Sequence, residues 1–198
     1  MTEEPTDGTR DRLLSAFAEL IDERGYAHTS VVDIVRVARA SKRTFYDHFP
    51  NKEAAFVALL LRATDDLAAR IRATVDPEAP WQDQVTQAVE AYAVNIEVRP
   101  AIALSWIRDL PALGAAARPG QRRNFATLTA MIIDLTRSPG FVRADIAPLS
   151  EDAATVLVGG LRELAARAVE DGRDIHSIVA PGAGAAIALL SHPGTDSF

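Results

Sequence analysis

The apolar residues of this chain recur with a period of 3.6 almost from end to end and nowhere alternate with a period of two over a strand's length. A chain patterned in this way folds as helices packed on helices. Thr9 to Arg24 places Leu13, Phe17, Leu20 and Ile21 on one face and stops at Gly25. Ser30 opens a second helix, with Asp33 three residues on as a shortened capping box, and Val31, Ile34, Val35 and Ala38 fall at helical spacing behind it. Ser41 caps a short third helix that holds Phe45 and Phe49. Asn51, after Pro50, caps a long fourth with Phe56, Leu60, Ala63, Leu67 and Ile71 as its stripe. Beyond Asp76 to Pro80 the periodicity predicts helices around Trp81–Ile96, Ile102–Leu110 and Phe125–Leu135, and another from Ser150 to Gly172. Pro111 to Gly120 reads as a loop and Ser138-Pro139-Gly140 as a stop, and Pro181, Gly182 and Gly184 leave the start of a last helix open. The expectation is an all-α protein of about nine helices. It divides into an arm over 1–8, a three-helix head over 9–54 and a helical bundle over 55–198.

The net charge of −6 argues against nucleic acid, but its distribution argues for it. Between Ile34 and Lys52 the chain carries Arg36, Arg39, Lys42, Arg43 and Lys52 against one acid, Asp47. A basic patch on an acidic body suits a DNA contact made by one surface only, since phosphate repels the remainder. The same charges also fit an ordinary solvated face.

Two short helices joined by a tight turn, the second basic on its outer side, form the helix-turn-helix arrangement. With Phe45 and Phe49 turned inward, Arg43 and Asp47 point away from the core and Thr44 and Tyr46 flank them. Lys42 and Arg43 sit in the first turn, where a recognition helix enters the major groove and Arg reads guanine by two hydrogen bonds. Ser30, Ser41, Tyr46, His48 and Lys52 suit phosphate oxygens, helped by backbone N–H groups at helix starts. Asp47 either accepts from a cytosine amino group or pairs with Arg43 four residues before it. Tyr46 and His48 each have a local packing role as the alternative.

The stretch Gly25-Tyr26, Thr29-Ser30-Val31, Asp33-Ile34, Ser41 to Tyr46, His48-Phe49 and Asn51-Lys52-Glu53 resembles the signature of tetracycline-repressor (TetR) family regulators. The likeness covers about Arg10 to Phe56. It implies a repressor that binds a palindromic operator in double-stranded DNA as a homodimer and is released by a small-molecule effector. Two positions depart from the pattern. The turn reads Arg39-Ala40 where the family usually has glycine and then an aliphatic residue, and Arg43 stands where glycine is common before Thr44.

Other classes find little support in the residues. His28, His48, His176 and His192 show no zinc-ligand spacing, no phosphate loop or nucleophile elbow occurs, and cysteine is absent. No enzyme activity, cofactor or metal is expected. The acidic N-terminus carries no signal-peptide core and no apolar run is long enough to span a bilayer, so the expected location is cytoplasmic without membrane contact. A helical ligand-binding or interaction protein not acting on DNA is the alternative, although it has no need of the Ser41 to Lys52 pattern. Within the bundle Tyr92, Trp106, Arg108 and Met131 are candidates for an effector pocket, each with an ordinary core or surface role as the other reading. Leu157, Gly159, Gly160, Leu161, Leu164, Gly184 and Ile187, on the last two helices, are candidates for the dimer interface. The glycine pair marks either a helix break or a close approach of backbones.

Overall fold

The structure is a computed structural model that describes residues 6–191. Among these residues there are helices and no strand. The arm expected over 1–8 lies outside them as far as residue 5, while Thr6 to Gly8 already belong to the first helix; His192 also lies outside. The chain divides into two compact units, the first running to Ala63 and adding Arg99–Arg122, the second taking Thr64–Val98 with Arg123 onward.

The first unit begins with α1 (Thr6–Arg24), α2 (Val31–Val37), α3 (Lys42–His48) and the opening of α4 (Lys52–Thr74). Leu13, Phe17, Leu20, Ile21, Ile34, Phe45, Phe49, Phe56 and Leu60 are buried, so the predicted stripes meet in one core. Phe17, Tyr26 and Phe56 stack within it, the Tyr26 and Phe56 ring centroids 4.2 Å apart. Ser30 caps α2 in a full capping box with Asp33, Ser41 caps α3, and Asn51 Oδ1 accepts from the Ala54 N–H at the start of α4.

The same unit holds α6 (Pro100–Leu104), which runs through a π-helical turn at Ser105–Asp109 into α7 (Leu110–Ala112). The wider turn has a cause in the sequence. Pro111 has no N–H to give and its ring crowds the carbonyl four residues back, so the helix opens and Leu110 N–H bonds Ser105 O instead. The loop expected over Pro111–Gly120 is not there. Gly114–Ala117 forms a 3₁₀ turn and α8 (Arg118–Leu135) starts immediately, with Pro119 and Gly120 in its first turn. Proline is at home there because first-turn N–H groups have no helical acceptor. Gly120 is required because a Cβ would run into the Val57 side chain.

In the second unit, α5 (Trp81–Val98) lies with α9 (Pro139–Arg143), α10 (Glu151–Glu170) and α11 (Val179–Ser191), the last preceded by a 3₁₀ turn at Ile175–Ile178. Trp81, Val85, Val89, Phe141, Ala183, Ala186 and Leu190 form a core cluster. Ser138-Pro139-Gly140, expected only as a stop, starts the short helix α9, with Pro139 fixing the first-turn backbone. Gln84 is the polar centre of this unit. Buried on α5, its Nε2 donates to Pro77 O (3.0 Å) and Ala79 O (2.9 Å), and its Oε1 accepts from Ser138 Oγ (2.7 Å). These bonds tie the 76–80 connection to the start of α9.

α10 continues unbroken through Gly159-Gly160, and a Cβ at either position would meet nothing within 4 Å. The pair is therefore not a break, and within the chain it is not a close approach either. The close approach lies at Gly182, where a Cβ would stand 2.8 Å from Leu161 Cδ2.

Candidate nucleic-acid interface and cavity

The helix pair at the head is joined by a turn of defined geometry. Ala40 N–H bonds Val35 O (2.9 Å) and Arg39 N–H bonds Arg36 O (3.3 Å), the two bonds of a Schellman stop, with Arg39 at φ 51°. The tight turn survives the replacement of glycine, but an L side chain now holds the left-handed backbone, which costs about 1–2 kcal/mol. Arg39→Gly is expected to raise the unfolding free energy by about 1 kcal/mol, after glycine's greater unfolded entropy is set against the relief. Urea unfolding checks this, and a loss of stability would show that the Arg39 side chain holds the turn.

This turn presents α3. Phe45 and Phe49 are buried, while Lys42, Arg43, Tyr46 and Asp47 are exposed, Tyr46 by 55% with its ring set edge-on against Phe45. Ser41 Oγ accepts from Thr44 N–H (3.0 Å) and lies 2.8 Å from Thr44 Oγ1. Ser30 Oγ donates to Asp33 Oδ2 (2.6 Å), and that bond, with the Ser30 N–H, holds the Asp33 carboxyl below its ordinary pKa; Arg24 and Arg36 add to the effect. His48 is half-buried beside Phe49. The pair expected between Arg43 and Asp47 does not form. Both groups are exposed, where such a contact gains little over hydration and orders two side chains.

Lys52 turns inward rather than standing free. Its Nζ donates to Tyr26 O (3.1 Å) and Thr29 O (3.0 Å) and sits 4.0 Å from the Tyr26 ring centroid. The ammonium thus fixes the α1–α2 connection to the start of α4, a role that residue type and charge alone do not reveal. Burial, with Glu53 and Asp109 behind it, pushes the Tyr26 phenol up to about 12.

The second unit encloses a cavity of about 80 Å³ within an open cleft of about 750 Å³ that includes its solvent-filled mouth. Tyr92 and Met131, two of the four pocket candidates, line it. Trp106 and Arg108 do not: they belong to the π-helical turn of the first unit, Trp106 buried and Arg108 exposed. Arg162 and Gln84 also line the cavity and escaped the sequence reading. Each interrupts an apolar stripe, Arg162 in phase with Ala154, Val158 and Ala165 and Gln84 one turn after Trp81, and a polar residue in such a phase is a readable signal. Of the interface candidates, Leu157 and Leu161 line the cavity and Ile187 packs against the core cluster, whereas Gly160 and Gly184 are exposed. Gly159 and Leu164 are intermediate.

Residues 13–59 match the family described as bacterial regulatory proteins, tetR family. The transcriptional activator FasR of Mycolicibacterium smegmatis is 32% identical over 93 residues, covering 47% of this chain and 42% of FasR. The transcriptional regulator EthR of Mycobacterium tuberculosis is 34% identical over 98 residues, covering 46% and 45%. The chain thus spans under half the length of these relatives, both of which carry regulator rather than enzyme names. Over nearly the whole chain the fold is that of a TetR transcriptional regulator from Rhodococcus sp. RHA1 (TM-score 0.75, 19% identity, 96% of this chain and 100% of that one). It is equally that of FadR from Bacillus subtilis in complex with stearoyl-CoA (TM-score 0.75, 16% identity, 93% and 99%). The match to the tetR family of bacterial regulatory proteins is thus carried by residues 13–59, and beyond them the likeness is one of fold.

Proposed function

We propose that the chain is a sequence-specific DNA-binding transcriptional regulator, with operator contacts in the 9–54 head and effector binding and dimerisation in 55–198. The observation that carries this reading is the outer face of α3, where Lys42, Arg43, Tyr46 and Asp47 stand exposed on a helix anchored by Phe45 and Phe49. Arg43 and Asp47, unpaired with each other, are the base readers. Tyr46, His48, Ser30, Ser41 and Thr44 contact phosphate, the Ser30, Ser41 and Thr44 hydroxyls exchanging their local bonds for it. Lys52 supports the head from within and adds its charge to the patch. Fluorescence anisotropy with duplex DNA across a salt series tests the reading. Affinity is expected to fall with a log–log slope of ~0.9 per phosphate neutralised, and a flat response overturns it.

The effector occupies the cavity of the second unit. Its walls are apolar, and the fold's occurrence in a complex with stearoyl-CoA supports an effector with an apolar body. Repression is lifted when the effector prefers a conformation that does not fit the operator. Such a protein works beside DNA in the cytoplasm, and no described helix is long and apolar enough to cross a membrane.

The active species is a two-fold dimer built on α10 and α11. Exposed Val156 and Gly160 on α10 and exposed Gly184 and Ala185 on α11 give a small-residue surface that a second copy covers closely. Gly160→Leu is expected to shift the dimer toward monomer in sedimentation equilibrium while leaving the helical signal unchanged. Wild type running as a monomer at micromolar concentration would remove the dimer from the reading.

A further inference from the structure

Arg10 on α1 lies outside the basic stretch between Ile34 and Lys52, yet it meets the end of α3. Its guanidinium stands over the Phe49 ring, 5.4 Å from the centroid and within the range of cation–π attraction. Phe49 is buried and closes α3, its N–H bonding Phe45 O at 2.8 Å. The His48 ring centroid lies 6.3 Å from that of Phe49, so Arg10 and His48 are held at one ring. Neighbouring arginines of the head have polar partners within the fold. Arg12 donates to Thr9 Oγ1 (3.0 Å) and Gly8 O (3.4 Å), Arg62 pairs with Asp11 (3.2 Å), and Arg24 pairs with Asp33 (3.6 Å). Arg10 is half-buried and makes no ion pair among the described residues.

Stacking occupies the face of a guanidinium and leaves its N–H donors, which lie in the plane, able to bond elsewhere. The ring attracts the cation but does not neutralise it. Arg10 is therefore a positive charge held in place with its donors at hand, and a phosphate oxygen pair is an acceptor that such a fork fits. We propose that Arg10 is a phosphate contact of the head, positioned by Phe49 at the C-terminal end of α3. The inference rests on the reading of the head as a DNA-binding unit and adds a contact from α1. Lys42 and Arg43 stand in the first turn of α3 and Arg10 stands at its end, so positive charge brackets the helix that reads the bases. Holding the side chain against Phe49 before the duplex arrives reduces the rotamer freedom lost on binding. A phosphate contact carries no base information, so Arg10 sets affinity and the seating of α3 rather than the sequence preferred.

Salt dependence separates this role from packing alone. The full chain is titrated across a salt series with two duplexes, one selected from a random pool and one of unselected sequence. Arg10→Met keeps an apolar stem against Phe49 and removes the charge, whereas Arg10→Lys keeps the charge. Arg10→Met is expected to lower the log–log slope by ~0.9 for each protomer bound. Affinity for both duplexes is expected to fall alike, by about eightfold per protomer at about 0.1 M salt. Arg10→Lys is expected to keep the wild-type slope, and no variant is expected to change the base preference. Urea unfolding reports whether the head is intact, and if Arg10→Met does not fold, Arg10→Gln reads the same quantity. A folded neutral variant with the wild-type slope overturns the inference and leaves Arg10 a packing residue. A variant that keeps the slope but relaxes preference at one base overturns it as well, in favour of base reading. Wild type that binds neither duplex removes the DNA-binding reading itself, an outcome distinct from an unchanged slope.

Discussion

Gly140→Ala is expected to lower the unfolding free energy by about 2–4 kcal/mol, a large effect for one methyl group. Gly140 opens α9, and its N–H bonds Pro77 O at 3.0 Å, which holds the 76–80 connection against it. A Cβ at this position would overlap both the Ala79 carbonyl oxygen and the Gln84 Nε2. Neither can withdraw cheaply. The carbonyl is backbone, and the amide nitrogen is pinned by its own bonds to Pro77 O and Ala79 O. To make room, Gln84 must leave at least one acceptor, and a buried amide without a partner costs about 1–3 kcal/mol in addition to the overpacking itself. Urea denaturation of the full chain, followed by far-ultraviolet circular dichroism, measures it. A change below about 0.5 kcal/mol would mean that the 76–80 connection yields freely and that Gln84 does not hold it.

The head was legible because its local and long-range signals agree. Ser30, Ser41 and Asn51 announce three helix starts, and Phe45 and Phe49 fix which face of α3 is inward. Once that face is known, the outward placement of Arg43 and Asp47 follows from 100° per residue. The fate of Lys52 was not legible. A lysine beside a basic helix reads as a surface charge, and only the return of the Tyr26–Thr29 connection brings two carbonyls within reach of its ammonium. The Pro- and Gly-rich stretches misled in the opposite direction. Pro119, Pro139 and Pro181 all lie in helical first turns, where proline is tolerated, so their presence marked starts rather than gaps. The turn after α2 shows that a motif position can be kept with the wrong residue type. Arg39 adopts the conformation that glycine usually supplies because the two hydrogen bonds of the turn outweigh the strain.

The cavity was half legible for a related reason. Tyr92 and Met131 lie on helices that a bundle must bring together, so their place was within reach of the sequence. Trp106, a large aromatic residue on a middle helix, does not line this cavity. The chain instead returns Arg99–Arg122 to the first unit, a topological fact that periodicity does not carry.

Arg43 is where the proposal that this chain reads DNA can be tested most sharply. It is exposed, it has no partner on Asp47, and it stands in the first turn of α3, so its loss changes little within the folded chain. An arginine that donates twice to guanine discriminates by about 1–3 kcal/mol, or roughly 5–150-fold in affinity, at one base position. The most direct measurement is selection from a pool of random duplex DNA by the full chain, followed by anisotropy of the enriched duplex with wild type and Arg43→Ala at one fixed salt concentration. The expected result is an enriched palindrome, bound by the variant about 5–150-fold more weakly and with preference relaxed at one base in each half-site. Contradiction would come from a pool that does not enrich, or from a variant that selects the same sequence with undiminished affinity. The first outcome would leave a helical protein that does not act on specific DNA, and the second would move base reading away from α3.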